Sequence, residues 1–344
     1  MNKKETIQLY LSNGFQLSGD ALSIIQKKPE KCLEEIKKIK PRPFMITKQI
    51  LEKIEMEKKS DKIKFELVKE YSPKTGKIKV VDYTKHFGEI YEIIKTILLE
   101  KNKLEKLTSV NKITDKSQEF SLLVSVREKH RSNLLVEDTT GETHVFFEEE
   151  MKRTIENLEK DDIVGIVCER KDDEIHIKEI IYPGVSITRE VGKTEQKIKL
   201  FYLYKPSLLE EKKQEKLIEI LAKTKKKNPV VIYGDWHDQE VLRGIDNIFL
   251  INEDSKNHLF QINEVKILLF SGKNRTENIL DKRLIKGDSL LDTFALTEIP
   301  DIMLFSDGNT YYKNYKGTSI ISNNDKKKYF LLNLNSREVE EMEI

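Results

Sequence analysis

Three observations in this 344-residue sequence predict a multidomain α+β chain. Short Leu- and Ile-bearing helical stretches, punctuated by Gly and Pro, fill residues 6–54. From Phe120 to Ile180 the apolar period changes from helical to strand-like, in five runs with one helix among them. Beyond Lys197, runs that are apolar at every position alternate with charged helical or turn-rich segments, the pattern of strands buried on both faces. The three together predict an N-terminal helical unit, a β-barrel and a two-layered α/β sandwich.

The helical unit is read as four helices. The first carries Leu9 and Leu11 and ends near Gly14, with Phe15 and Leu17 beyond it. Ser18 caps a second through Ala21, Leu22, Ile24 and Ile25. Pro29 opens a third, with Cys32, Leu33 and Ile36 on one face. Pro41 and Pro43 stop it, and Thr47 opens a fourth with Ile50, Leu51 and Ile54. Helices this short must share one core. Glu57–Lys79 is a charged, Ser/Pro/Gly-punctuated tract, predicted to be a linker with a strand allowed at Ile63–Val68.

Asp82–Lys106 reads as a helix with Phe87, Ile90, Tyr91, Ile94, Ile97, Leu98 and Leu104 at helical spacing, capped by Asp82 or Thr84. The strands Phe120–Val126, Asn133–Val136, His144–Phe147, Ile163–Glu169 and Glu174–Ile180 follow, with Met151–Leu158 as a helix between the third and fourth. That is the element order of an OB-fold barrel, and Glu137–Glu142 fits the hairpin between its second and third strands. Arg127, Lys129, His130 and Arg131 form a basic loop that could meet nucleic acid, but aromatic platforms are few. The domain boundaries are then 1–56 for the helical unit, 57–81 for the linker, 82–107 for the helix entering the barrel, 108–190 for the OB-fold and 191–344 for the sandwich.

Charge is plentiful but balanced. Lys+Arg number 61 and Asp+Glu 59, so bulk electrostatics do not announce a polyanionic partner. The interleaved Glu and Lys instead describe solvated helix faces. The 2 cysteines, Cys32 and Cys168, make no metal motif and suit reduced thiols. There is no apolar run of membrane-spanning length and no signal peptide, so a soluble cytoplasmic protein without a membrane partner is expected.

In the last domain Pro229–Asp238 stands out. Val230, Val231, Ile232 and Tyr233 make a buried strand, Gly234 breaks it, and Asp235, His237 and Asp238 follow at once. This stretch resembles the Gly-Asn-His-Asp loop of calcineurin-type metallophosphoesterases, whose strands each end in a loop carrying Asp, His or Asn to a two-metal site. The other loops of such a site lack their ligands. Leu203 and Lys205 stand where the resemblance implies Asp-x-His, Ser271 where it implies His, and Asp307 and Asn309 where it implies Gly-His-x-His. A lone Lys205 would repel divalent metal. Asp235, His237 and Asp238 are therefore read as vestigial, the sandwich as a reduced, degenerate phosphoesterase domain, and the chain as free of catalytic metal.

The order of helical unit, helix, barrel and shrunken sandwich resembles the small (B-type) subunit of the archaeal D-family DNA polymerase. The residues that carry this are DYTKHFGEIYEIIK (Asp82–Lys95), LLVEDTTGETHVFF (Leu134–Phe147), DDIVGIV (Asp161–Val167), IYPGVSI (Ile181–Ile187), VKILLFSG (Val265–Gly272), Asp292–Ser322 and the last strand Tyr329–Val339. The resemblance implies a large catalytic polymerase subunit as partner, with DNA met directly or through the complex. In the archaeal relatives the phosphoesterase domain is a manganese-dependent 3′–5′ exonuclease; here the ligands are lost. The expected role is a non-catalytic accessory or scaffold subunit of the replicative polymerase, with Trp236, Tyr311, Tyr312 and Tyr315 as candidate partner-binding rings. Alternatives are an exonuclease with a reduced site around Asp235, His237 and Asp238, a single-stranded DNA-binding OB-fold protein, and a primase- or repair-associated scaffold.

Overall fold

The computed structural model describes the chain except residues 1, 38, 40–42, 53–62, 73–76, 224–227, 235–247, 252–256, 271–275 and 288–289. It divides into two compact units, Met1–Lys64 and Phe65–Ile344. No helix among the described residues is long and apolar enough to cross a membrane.

The first unit holds helices Lys3–Ser12, Gly19–Ile25 and Pro29–Ile36, with residues 48–52 helical as well. Ser18 and Pro29 act as read, and a cap not read from the sequence joins them. Asn2 and Glu5 form a capping box on the first helix, and Ser18 Oγ accepts from the Ala21 amide at 3.4 Å. Pro29 opens the third helix. A parallel pair, β1 (Gln16–Leu17) with β2 (Met45–Ile46), ties the ends together. The core is Tyr10, Phe15, Ala21, Ile25, Leu33, Ile36, Ile46 and Leu51. Leu11, expected among the packing residues, is 54% exposed, and Tyr10 takes the inward position.

The second unit begins with a strand. β3 (Phe65–Tyr71) pairs antiparallel with β12 (Asn257–Ile262) at the edge of a sheet almost two hundred positions later in the chain. The stretch read as linker thus supplies sheet structure, within a few residues of the strand allowed there. Tyr71 is its anchor, 1% exposed in the sandwich core.

Val80–Glu100 is one helix, starting two residues earlier than expected. Lys79 is its N-cap, and Asp82 acts from the first turn, accepting from the Lys79 amide at 2.9 Å. Ile90, Tyr91, Ile94 and Leu98 pack on Leu123, Ile163 and Ile181 of the barrel and also on Leu284 and Ala295 of the sandwich. Tyr91 donates to the Leu123 carbonyl at 2.7 Å. The helix is a wedge between barrel and sandwich, which lie in one compact unit, Phe65–Ile344.

The barrel comprises β4 (Glu119–Lys129), β5 (Asn133–Asp138), β6 (Gly141–Phe146), β7 (Ile163–Lys171) and β8 (Glu174–Ile181). It closes in the order β4-β5-β6-β8-β7, with β6 and β8 parallel and a helix, Lys152–Glu156, between β6 and β7. This is an OB-like topology. The hairpin turn is set by Asp138, whose Oδ1 accepts from the amides of Thr140 and Gly141 at 2.7 and 3.1 Å.

The sandwich has a five-stranded sheet, β11-β10-β9-β19-β20, and a six-stranded sheet, β17-β18-β16-β13-β12-β3. The first is built from β9 (Lys199–Tyr204), β10 (Val230–Tyr233), β11 (Ile248–Ile251), β19 (Lys328–Asn333) and β20 (Val339–Glu343). The second adds β13 (Val265–Leu269), β16 (Ile302–Phe305), β17 (Tyr311–Tyr315) and β18 (Thr318–Ser322). The four apolar runs of the sequence lie in β9, β10, β13 and β16 and are buried along their length. Phe201, Leu203, Val230 and Ile232 meet the outer helix Glu211–Lys223 through Leu217 and Leu221. Leu268, Met303 and Ile320 meet Ile279 and Leu280 of helix Thr276–Lys282 on the opposite side. Tyr202 reaches between the sheets and donates to the Phe305 carbonyl at 2.6 Å. The last strand, expected as one run over Tyr329–Val339, is a hairpin: Arg337 takes a left-handed turn conformation (φ 67°) and β20 folds back on β19.

Candidate functional site

The ends of β9 and β10 lie side by side, Tyr204 opposite Tyr233, and those of β13 and β16 do so across the sandwich, Leu269 opposite Leu304. This is the edge where the sequence suggested a lost metal site. Leu203 lies within β9, fully buried, and its side chain joins the core under Glu211–Lys223. Lys205 follows in a left-handed conformation (φ 40°), its amide donating to the Tyr233 carbonyl at 2.6 Å and its ammonium 5.5 Å from the centre of the Tyr204 ring. Gly234 is obligatory there: its φ is +96°, and a Cβ would lie 2.7 Å from Lys205 Cγ. Lys205 thus packs against Gly234. Asp235, Trp236, His237, Asp238 and Ser271 themselves lie outside the described residues.

The loop after β16 is closed on itself. Asp307 Oδ1 accepts from Ser322 Oγ at 2.8 Å and from the Asn309 amide at 3.1 Å, while Oδ2 accepts from Tyr311 Oη at 2.9 Å. Asn309 contributes its carbonyl, which accepts from Ser322 Oγ at 2.7 Å. Asn324 Nδ2 donates to the Gly308 carbonyl at 3.1 Å. Burial first, and then the bond to Asp307, push the Tyr311 hydroxyl well above its ordinary pKa. A carboxylate with three protein donors has little capacity left for a cation, and a lysine stands across the edge. These residues do not fit a pair of divalent metals. Among the described residues no group of three or more His, Cys, Asp or Glu is arranged to hold a metal ion.

The candidate partner-binding rings separate. Tyr311 and Tyr315 are half-buried against the sandwich core, and Tyr315 Oη donates to Asp281 at 2.6 Å. Tyr312 points the other way on edge strand β17 and is 46% exposed.

On the barrel the basic loop is partly engaged in the fold. Arg127 pairs with Glu137 at 2.9 Å. Lys129 Nζ donates to the carbonyls of Glu156 and Leu158 at 3.3 and 2.5 Å, capping the end of the barrel helix. Arg131 is exposed at the turn. Beside His130 of that loop, the outer face carries three rings that were not singled out in the sequence, His144, Phe146 and His176. His130 and His144 lie 6.0 Å apart by ring centre, and Phe146 and His176 5.8 Å. The alternation in GETHVF was the available signal: Val145 points into the barrel, so His144 and Phe146 must point out. Carboxylates accompany the rings, Glu128 at 3.6 Å from His130 and Glu174 at 3.3 Å from His176. Such a face can stack bases, while its acidic neighbours weaken any attraction for phosphates.

No family model matches the chain, and no curated protein matches it. Among solved structures, a chain of the S. pombe Stn1-Ten1 complex is similar, with 19% identity, covering 22% of this chain and 72% of its own, at a TM-score of 0.19. The OB-like assignment of the barrel rests on its strand order and closure.

Proposed function

We propose that this chain is a non-catalytic accessory subunit of a D-family replicative DNA polymerase, acting in the cytoplasm as a scaffold for the large catalytic subunit. The observation that carries the reading is the architecture of the second unit. A wedge helix, a closed five-stranded barrel and a two-sheet sandwich follow in the order the resemblance implies, within one compact unit. The degenerate phosphoesterase assignment of the sandwich belongs to the same proposal. It is supported by the four buried strands whose ends converge, and by an edge where Lys205 and a saturated Asp307 stand in ligand positions. A fold kept without its metal chemistry is most simply explained by a binding role.

The test is co-expression with a D-family large subunit, followed by size exclusion. A stoichiometric complex is the expected result, and separate elution of both chains overturns the reading. A 3′-end-labelled DNA assay of the purified chain with manganese should show no digestion. Digestion abolished by His237→Ala would establish the exonuclease alternative instead. The ring-bearing barrel face favours a second reading, single-stranded nucleic-acid binding. Fluorescence anisotropy with an oligo-dT probe tests it, and binding weakened by Phe146→Ala is its expected signature.

A further inference from the structure

Asp301, just before β16 and 3% exposed, is held by two guanidiniums, and a third, Arg283, stands close enough to Arg189 to feel its charge. Arg189 Nη1 donates to its Oδ1 at 3.1 Å. Arg337 donates to its backbone carbonyl. The remaining capacity of Asp301 goes to the amides of Gly192 and Lys266, at 3.0 and 2.9 Å. Arg283, 8% exposed, finds only carbonyls. Its Nε donates to Gly184 at 2.9 Å and its Nη1 to Leu296 and Thr297 at 3.1 and 3.3 Å. Among the described residues its Nη2 has no acceptor, and the carboxylate that acts on its charge, Glu100, makes no ion-pair contact with it. Arg189 Nε and Arg337 Nη1 are buried without an acceptor as well.

Against the three guanidiniums stand one buried carboxylate, Asp301, and the exposed Glu100, which leaves a surplus of buried positive charge. Carbonyl dipoles orient a guanidinium but supply no counter-charge, and an unpaired buried ion is costly. Burial, reinforced by Arg189, draws the Arg283 guanidinium down to about 10. The surplus is not sealed in. Arg189, Arg283 and Asp301 line an open crevice of about 600 Å3, rimmed by exposed Lys193, Glu190 and Glu264.

We propose that this crevice binds a phosphate group. The planar fork of a guanidinium matches the oxygens of phosphate, which brings both acceptors and charge. The mixed rim favours one compact phosphate over an extended polyanion, since Glu190 and Glu264 would repel neighbouring phosphates. The site lies apart from the outer barrel rings and from the edge after β16, and does not depend on the partner reading above.

The experiment is a thermal-shift titration of the full chain with inorganic phosphate at constant ionic strength, with chloride as control. A saturable rise in Tm beyond the chloride response is expected. Arg283→Lys should weaken the apparent Kd about tenfold or more, the scale of a lost charge-assisted hydrogen bond. The rim variants touch no packing. Lys193→Ala should weaken binding about two- to fivefold and Glu264→Gln strengthen it by a similar factor. A parallel arm compares oligo-dT with and without a 5′-phosphate. A response to inorganic phosphate assigns a free-anion site, and a gain confined to the phosphorylated oligonucleotide assigns a nucleic-acid terminus. A phosphate response no larger than chloride, with no gain from the 5′-phosphate, overturns the proposal. So does binding that is unchanged in both rim variants, whatever the folding of Arg283→Lys.

Discussion

Removing the Asp162 carboxylate should cost more than removing almost any other surface-loop charge. Asp162 opens β7 of the barrel, and its side chain is 1% exposed. Lys282 and Lys286, from the sandwich, approach its two oxygens at 2.7 and 2.6 Å, as ionic contacts rather than well-angled hydrogen bonds. The Glu159 amide donates to Oδ2 at 2.8 Å. Glu159 itself completes the ring, 3.3 Å from each lysine. Asp162→Ala leaves the Lys282 ammonium, 5% exposed, beside Lys286 with only the half-exposed Glu159 between them. Breaking a buried pair in this way costs about 3–5 kcal/mol, or roughly 5–9 °C in Tm for a unit the size of Phe65–Ile344. Replacing the whole group, Asp162→Leu with Lys282→Met and Lys286→Met, should cost far less, because no charge is then stranded. Urea unfolding followed by circular dichroism measures both. The acid limb offers a second readout. Burial works against its ionisation, yet Lys282 and Lys286 hold the Glu159 carboxyl below its ordinary range. That contribution is present above the unfolded pKa and is lost as pH falls through the folded one. A cost for Asp162→Ala below about 1 kcal/mol, the scale of an exposed pair, would refute the reasoning and with it the view that this ring couples barrel to sandwich.

Four further outcomes are expected. Tyr71→Phe should be close to neutral near pH 7, since Tyr71 Oη is buried with the Thr297 side chain beside it but no hydrogen bond of good geometry. Burial raises this phenol to about 12, so its contribution holds below the unfolded pKa and is lost as pH rises towards the folded one; Tyr71→Phe should flatten that alkaline limb in a Tm–pH series. Cys168, fully buried with its thiol pushed up to about 12, should resist a disulfide reagent at pH 8 until the chain is unfolded, while the part-exposed Cys32 reacts. Asp307→Ala removes the acceptor of the Tyr311 hydroxyl and the Asn309 amide, while Ser322 Oγ keeps the Asn309 carbonyl, and should lower stability by about 1–2 kcal/mol in urea titration. Tyr312→Ala should leave Tm unchanged but, if β17 meets the large subunit, weaken that complex by about 2 kcal/mol in a calorimetric titration.

What the sequence made legible follows from which signals are local. Val230–Tyr233 and Ile302–Phe305 could be read as central strands because both faces of each are buried, which leaves no polar position to confuse the period. The barrel was legible because its turns announce themselves, Asp138 above all. β3 was harder: FELVKEY carries three charges in seven positions, as an edge strand can, and its partner β12 is remote. The most consequential polar residues were the least legible. Arg283 and Lys282 sit in a run, DKRLIK, that looks like any solvated helix end. Their burial is decided by Gly184 and Asp162, about a hundred positions away. No local pattern distinguishes such residues from surface charge. The site residues placed on Asp235–Asp238 lie outside the described residues, so the reading there rests on Lys205, Asp307 and Asn309.

On the proposed reading, Leu203, Lys205 and Asp307 are the replacements by which a phosphoesterase-like edge loses its metals and keeps its fold. A metal site concentrates carboxylates and imidazoles that repel or desolvate one another unless the cation is present. Losing the cation alone would therefore destabilise the edge, and each ligand position needs a replacement that satisfies the backbone without it. Leu203 answers by turning the position into core, packed with Phe201, Leu217 and Ile232. Lys205 answers with charge, placing an ammonium over the aromatic ring of Tyr204. Asp307 keeps its carboxylate but spends it on Ser322, Tyr311 and the Asn309 amide, so the loop is organised by its own donors. The three replacements differ in chemistry and share one effect, a strand edge whose described polar groups are satisfied within the protein. An edge so satisfied is free to be conserved in shape for a partner, which is why the proposed function looks for a binding surface beside it and for no reaction within it.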